Sequence, residues 1–103
     1  MKAAKAEGYR SRAAYKLIAL AEKYRLFKPG QRVVDLGAAP GGWLQVAVER
    51  VRPGGRVVGV DLSEIAPVTG ASLLRGDVED PKLAPRLRAA LGGAADLVLS
   101  DMA

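Results

Sequence analysis

Residues 33–43 read Val-Val-Asp-Leu-Gly-Ala-Ala-Pro-Gly-Gly-Trp. The first four are rich in β-branched residues and end at a glycine turn, which is typical of a short strand buried on both faces. A helix is predicted from Trp43 onward, so the turn joins a strand to the amino end of a helix. Glycine allows close backbone approach, and a helix amino end carries a partial positive charge. This shape favours a nucleotide-like ligand.

A second apolar run, residues 56–60, ends at Asp61, twenty-four positions beyond Gly37. In a βαβ unit an acid at this place faces a ribose. The strict dinucleotide pattern Gly-x-Gly-x-x-Gly is absent, because the turn reads Gly-Ala-Ala-Pro-Gly-Gly and no Walker lysine follows. The turn alone therefore leaves the ligand open between a phosphate and a carboxylate group.

Strands and helices are predicted to alternate along the rest of the chain. We expect a helix over about residues 11–25 with Ser11 as its cap, and a short third strand at residues 72–75. A further helix is expected to start at Asp80-Pro81, and a fourth strand at residues 96–100. Such alternation predicts an α/β protein with a parallel sheet, right-handed crossovers and a truncated Rossmann-like strand order of 3-2-1-4.

This strand order places the ligand crevice at the carboxyl ends of strands 1 and 4. Residues 36–42, Asp61, Asp77 and Asp101 all fall at that end of the sheet. The fourth strand would be an edge with unpaired backbone groups, so we expect a possible homodimer through residues 96–100.

The chain has 103 residues, with neither cysteine nor histidine. Disulfides, thiolate nucleophiles, imidazole bases and the usual zinc ligands are therefore excluded, and no metal site is predicted. The apolar stretches are shorter than the roughly 20 residues of a membrane-spanning helix. We expect no membrane association and a cytoplasmic setting.

Charge is concentrated at the amino end. Residues 1–28 carry eight basic and two acidic side chains, a charge of +6, so the remaining residues sum to −1 in a chain of net charge +5. The sequence thus predicts one domain over residues 1–103, made of a basic helical arm, residues 1–28, and an α/β half-domain, residues 32–103. A basic arm suits a polyanion, and Arg10 and Arg12 are the expected phosphate contacts. The alternative is a solvated helix face.

With these residues in view, the chain resembles the amino-terminal, cofactor-binding part of the FtsJ/RrmJ family, the ribosomal RNA large-subunit 2′-O-methyltransferases. The likeness covers nearly all 103 residues, and a Pro-Gly-Gly-Trp turn after a basic helix is more specific than a glycine pattern. The stretches that carry it are Tyr-Arg-Ser-Arg-Ala-Ala-Tyr-Lys-Leu at 9–17, Val-Asp-Leu-Gly-Ala-Ala-Pro-Gly-Gly-Trp at 34–43, Gly-Val-Asp-Leu at 59–62, Gly-Asp at 76–77 and Leu-Val-Leu-Ser-Asp-Met-Ala at 97–103.

The resemblance implies an S-adenosylmethionine cofactor, and ribosomal RNA or the large ribosomal subunit as partner. It implies that Gly41 and Trp43 lie against the cofactor, that Asp61 accepts from the ribose hydroxyls, and that Asp77 faces the adenine amino group. Asp101 would lie beside the methionine part and the reacting centre. The other residues expected to contact the cofactor are Gly37, Ala38, Pro40, Gly42 and Leu62.

Family members use a Lys-Asp-Lys-Glu set to activate a ribose hydroxyl. Lys16 and Asp101 match its first two members, and Lys16 is also an expected RNA contact. The second lysine and the glutamate have no counterpart in these 103 residues, so the resemblance predicts that the chain alone transfers no methyl group.

Plainer interpretations stay open for several of these residues. Lys16 could be an ordinary surface lysine, Trp43 a core aromatic, and Asp77 a member of a helix-capping cluster. The alternative function is a non-catalytic cofactor- or RNA-binding module that self-associates through its exposed sheet edge. Light scattering at several concentrations would separate a monomer from such an assembly.

Overall fold

The computed structural model describes residues 8–100, which form four strands and three helices. In chain order these are α1 (Ala13–Tyr24), β1 (Arg32–Leu36), α2 (Gly42–Val51), β2 (Arg56–Asp61), β3 (Ala71–Arg75), α3 (Leu83–Leu91) and β4 (Leu97–Ser100). The strand bounds lie within one residue of those that the sequence predicts.

The strands form one parallel sheet in the order β3-β2-β1-β4. Val34 of β1 lies between Val58 of β2 and Val98 of β4. The predicted α/β fold and its strand order are therefore confirmed, and the carboxyl ends of β1 and β2 lie side by side.

Helices cover both faces of the sheet. On one face Val33 and Leu99 pack with Leu44 of α2, and α1 packs on the outside of α2. On the other face Val34 and Val58 pack with α3. Because β1 is central and covered on both sides, its residues 33–35 are buried as predicted.

α1 belongs in part to the core, since Ala14, Leu17 and Ala21 are buried. The expectation that Ser11 caps this helix is wrong. The helix begins at Ala13, and Arg12 stands at the cap position without a capping side-chain bond. Ser11 instead lies against Gly42, so a tertiary contact takes the place of a local one.

The predicted start of α3 at Asp80-Pro81 is also wrong, because the helix begins at Leu83. Asp80 closes the turn just before it. Its carboxylate accepts from the Lys82 amide at 2.9 Å, and its carbonyl oxygen accepts from the Leu83 amide at 3.0 Å.

Within residues 8–100, β4 pairs with β1 alone and forms an edge of the sheet. Val98 is 58% exposed and borders an apolar groove with Leu87 and Leu91 of α3. Self-association through this edge stays a prediction.

No helix in the described part of the chain is long and apolar enough to cross a bilayer. The cytoplasmic setting stays a prediction.

Candidate functional site

A cavity of about 230 Å³ opens at the carboxyl ends of β2 and β3, and we call it the rim cavity. Of the predicted site residues it brings together Gly37, Asp61, Leu62 and Asp77. Parallel strands end at the same edge of a sheet, which is why residues so far apart in the chain meet here.

Asp61, the last residue of β2, holds two loops with its carboxylate. Oδ2 accepts from the Ala39 amide at 3.0 Å, and Oδ1 accepts from the Ser63 amide at 2.8 Å. An ionised carboxylate has about four acceptor sites, so each oxygen can accept one further hydrogen bond. Asp61 is therefore both a turn residue and an available acceptor at the cavity.

Two exposed apolar side chains border the same cavity. Leu62 is 66% exposed and Val78 is 42% exposed. Asp77 lies beside them, and its Oδ1 accepts from the Glu79 amide at 2.9 Å in a local turn. Asp77 thus holds a local turn and does not cap α3, which begins at Leu83, while its second oxygen has no hydrogen bond to a described residue.

The turn after β1 is fixed by the end of β2. The Val60 carbonyl oxygen accepts from the amides of Gly37 and Ala38 at 2.8 and 3.0 Å. The turn lines a second, smaller cavity of about 40 Å³, the turn cavity, whose lining includes the predicted residues Gly37, Ala38, Pro40, Gly42 and Trp43. Gly37 lines both cavities, so both border the end of β1.

Trp43 joins the turn to α1. Its indole Nε1 donates to the Ala13 carbonyl oxygen at 2.8 Å, and its ring packs against the core on the α2 face of the sheet. Ser11 and Ala13 line the turn cavity together with Trp43. The core interpretation of Trp43 and a place beside a ligand are both compatible with this position.

Gly41 and Gly42 make room for the segment before α1. Gly41 has φ +117°, and a Cβ there would lie 2.9 Å from Arg10 Nη1 and 3.2 Å from a Val68 methyl. A Cβ on Gly42 would collide with Ser11 Oγ. The structure therefore explains both glycines by packing within the chain.

Gly42→Ala is expected to lower the free energy of unfolding by about 1–3 kcal/mol, the usual cost of overpacking. Adding Ser11→Ala removes the hydroxyl that collides and leaves the Ser11 backbone nitrogen and Cβ at 3.4 and 3.5 Å, so the double variant should regain most of this loss. Urea unfolding of the four chains in the cycle measures the coupling. If Gly42→Ala and the double variant were equally destabilised, the collision with the Ser11 hydroxyl would be ruled out.

The predicted RNA contacts lie in different surroundings. The guanidinium of Arg10 donates to three carbonyl oxygens within the chain, those of Pro40, Ala66 and Pro67. The side chains of Arg12, just before α1, and of Lys16, within it, are exposed, and they make no hydrogen bond or ion pair with another residue among 8–100. Neither lines the cavities, although Lys16 follows Ala13 by one helical turn. Asp101 lies outside the described residues.

Sequence reasoning missed Val78 at the rim cavity and the intrachain partners of Arg10. Val78 gives a signal, since it is a lone apolar residue in an acidic stretch. The intrachain partners of Arg10 give none, because they are 30, 56 and 57 positions away and are backbone carbonyls, which every residue has.

Comparison with known proteins identifies the family of the chain. The model of the FtsJ-like methyltransferase family matches residues 9–103. The chain belongs to this family. This confirms the resemblance on which the cofactor and partner expectations rest.

Among curated relatives, the FtsJ-like chain is 58% identical to a ribosomal RNA large subunit methyltransferase E from Acidiphilium cryptum, over 98% of the chain and 44% of the relative. It is 56% identical to the protein of the same name from Zymomonas mobilis, over 97% of the chain and 45% of the relative. The chain thus spans less than half the length of these relatives.

Solved structures agree on the fold of this FtsJ-like chain. A crystal structure described as a ribosomal RNA methyltransferase from Plasmodium falciparum superposes with a TM-score of 0.84 at 33% identity, covering 92% of this chain and 57% of that one. The MycE methyltransferase in complex with Mg, SAH and mycinamycin VI superposes with a TM-score of 0.61 at 21% identity, covering 88% of this chain and 28% of that one. The second likeness shows the fold alone.

Proposed function

We propose that the chain is the S-adenosylmethionine-binding part of a ribosomal RNA 2′-O-methyltransferase. One observation carries the proposal. Gly37 lines both the rim cavity and the turn cavity, and Asp61 lines the rim cavity at the end of β2. Membership of a methyltransferase family supports a methyl donor as the ligand.

The rim cavity suits the adenosine half of this cofactor. Its volume of about 230 Å³ is slightly below that of ordinary ligand pockets, about 300–1,000 Å³, which fits one nucleoside better than a whole dinucleotide. Leu62 and Val78 offer apolar surface for the faces of a base. Asp61 has acceptor sites for the ribose hydroxyls, and the second oxygen of Asp77 can accept from an exocyclic amino group.

The methionine half would lie across the mouth of the turn cavity. This cavity, at about 40 Å³, has room for little more than one water, which occupies about 30 Å³ in the liquid. Gly42 and Trp43, the first residues of α2, line it. The amino end of a helix favours a negative charge, whereas buried Asp35 also lines this cavity, so we propose that the methionine carboxylate lies on the side of Gly42 and its amino group on the side of Asp35.

When bound, the cofactor supplies a methyl group on a sulfonium, which a ribose hydroxyl can attack. Lys16 lies one turn after Ala13, which lines the turn cavity, and its ammonium can donate a hydrogen bond that orients a hydroxyl. We expect no methyl transfer from this chain alone, since it matches two of the four residues of the family's set. Labelled methyl groups appearing in ribosomal RNA with the chain alone would contradict this.

Calorimetric titration with S-adenosylmethionine and S-adenosylhomocysteine tests the cofactor assignment. Both should bind saturably at one site. ATP, which carries the same nucleoside with phosphates in place of the amino acid, should not displace them, because the turn lacks a Walker lysine. Absence of saturable binding, or displacement by ATP at equal concentration, would contradict the proposal.

We further propose that the exposed face of α1 contacts RNA phosphates through Arg12 and Lys16. Arg12→Ala is expected to weaken binding of a ribosomal RNA fragment and to lower the slope of log K against log salt by about 1. Fluorescence anisotropy at several salt concentrations measures both.

The matched control is Arg88→Ala, which removes the same charge from exposed Arg88 on the opposite face of the sheet. It should leave the slope unchanged. Equal slopes in the Arg12 and Arg88 variants would show that net charge, not the α1 face, governs binding.

A further inference from the structure

Arg10 joins the segment before α1 to two loops at the candidate site, the turn after β1 and the loop after β2. Its Nη1 donates to the Pro40 carbonyl oxygen at 3.0 Å and to the Ala66 carbonyl oxygen at 2.6 Å, and its Nη2 donates to the Pro67 carbonyl oxygen. Pro40 belongs to the turn after β1, whereas Ala66 and Pro67 belong to the loop, residues 62–70, that follows Asp61. One guanidinium therefore bridges the two loops.

The backbone of Arg10 is itself held in place. Its amide donates to Gln45 Oε1 at 2.8 Å, and Gln45 Nε2 donates to the Gly8 carbonyl oxygen at 2.7 Å. Gln45 lies in the first turns of α2, which packs against the sheet. The bridge is thus anchored to the helix that begins at the turn.

The side chain of Arg10 also fits closely against the turn. Gly41 leaves room for it, since a Cβ there would be 2.9 Å from Nη1 and 3.3 Å from Cδ. A planar guanidinium with a fixed fork of donors can serve several carbonyl oxygens at once, which the single nitrogen of a lysine does poorly. The site therefore suits arginine specifically.

We propose that Arg10 is a positioning residue that sets the distance between the two loops holding opposite halves of the cofactor. This inference rests on the proposed function. The loop of residues 62–70 starts at Leu62 beside the adenosine half, and the turn at Pro40 lies beside the methionine half. A ligand that spans both loops depends on their spacing, whereas a ligand that contacts one loop does not.

Two ligands separate this role from a general contribution to stability. S-adenosylhomocysteine spans both loops, and 5′-methylthioadenosine lacks the amino-acid end. Arg10→Ala should weaken S-adenosylhomocysteine binding about tenfold, because without the bridge the loop spacing that binds both halves would be populated only about a tenth of the time. It should change methylthioadenosine binding by less than about twofold, and Arg88→Ala, the matched control on the opposite face of the sheet, should change neither.

Two further measurements complete the test at a temperature where all variants are folded. Arg10→Lys keeps the charge without the fork, so it should also lose affinity for S-adenosylhomocysteine. Amide hydrogen exchange over residues 64–69 should be faster in Arg10→Ala than in Arg88→Ala, because the loop loses its bridge.

Equal weakening of both ligands, wild-type affinity in Arg10→Lys, or unchanged exchange would each overturn the inference. If the wild-type chain binds neither ligand, the proposed function fails and the inference fails with it. If the wild-type chain binds both and Arg10→Ala changes nothing, the inference alone fails.

Discussion

Asp61→Ala is expected to weaken S-adenosylhomocysteine binding by more than about 100-fold, because two ribose hydroxyls would lose a charged acceptor worth about 1.5–3 kcal/mol each. The same change removes the acceptor of the Ala39 and Ser63 amides. We therefore also expect the free energy of unfolding to fall by about 2–4 kcal/mol. Calorimetry and urea unfolding measure the two effects.

Asp96→Ala is the matched control for the loss of stability. The Asp96 carboxylate accepts from the Arg32 amide at 2.8 Å, at the opposite end of β1 from the candidate site. Its removal should destabilise the chain and leave cofactor affinity unchanged. Asp61→Ala binding as tightly as wild type, or Asp96→Ala losing affinity to the same degree, would contradict the assignment of Asp61.

Leu44→Ala is expected to lower the stability of the chain, whereas Leu62→Ala is expected to lower its affinity for the cofactor. Leu44 is fully buried, and its methyl groups fill the space beside Gly59 of β2, where a Cβ would lie 2.6 and 2.9 Å from them. Truncation of such a side chain costs about 2–5 kcal/mol. The total stability of a small domain is about 5–15 kcal/mol, so this is a large fraction of it.

Leu62 is 66% exposed, so Leu62→Ala should change the free energy of unfolding by less than about 0.5 kcal/mol. If its side chain packs on the adenine, the variant should bind S-adenosylhomocysteine about tenfold more weakly, since burial of a leucine yields about 1.5–3 kcal/mol. Urea unfolding and calorimetry on both variants check the pair. Unchanged affinity in Leu62→Ala would place the base elsewhere.

The central part of the fold could be predicted because local pattern and topology agree there. The β-branched run before Gly37 predicts β1, and right-handed crossovers then order the four strands. The same rule places Asp61 and Asp77 at one end of the sheet. The structure confirms that order and brings both carboxylates to the rim cavity.

Helix starts were less predictable, because tertiary contacts compete with local capping. Ser11 has the side chain of a cap, yet it lies against Gly42 in another helix. Asp80 binds the amides that precede α3 and does not begin the helix itself. In both cases the residue type indicates a side chain that can cap a helix, but the sequence does not show which group that side chain contacts.

The intrachain partners of Arg10 and the hydrogen bond from the Ala39 amide to Asp61 could not be predicted from residue types. Backbone amides and carbonyls are the same at every position, so a sequence does not show which of them lacks a partner. The sequence suggested a polyanion for Arg10, and the structure gives it three carbonyl oxygens of the chain.

The position of Trp43 has a practical consequence. It is the only tryptophan of the chain. Its indole nitrogen is hydrogen-bonded to Ala13, the first residue of α1, and both residues line the turn cavity. Indole emission responds to hydrogen bonding and to the polarity around the ring. The protein therefore carries a built-in optical reporter of whether its first helix is seated on the turn, readable without any label.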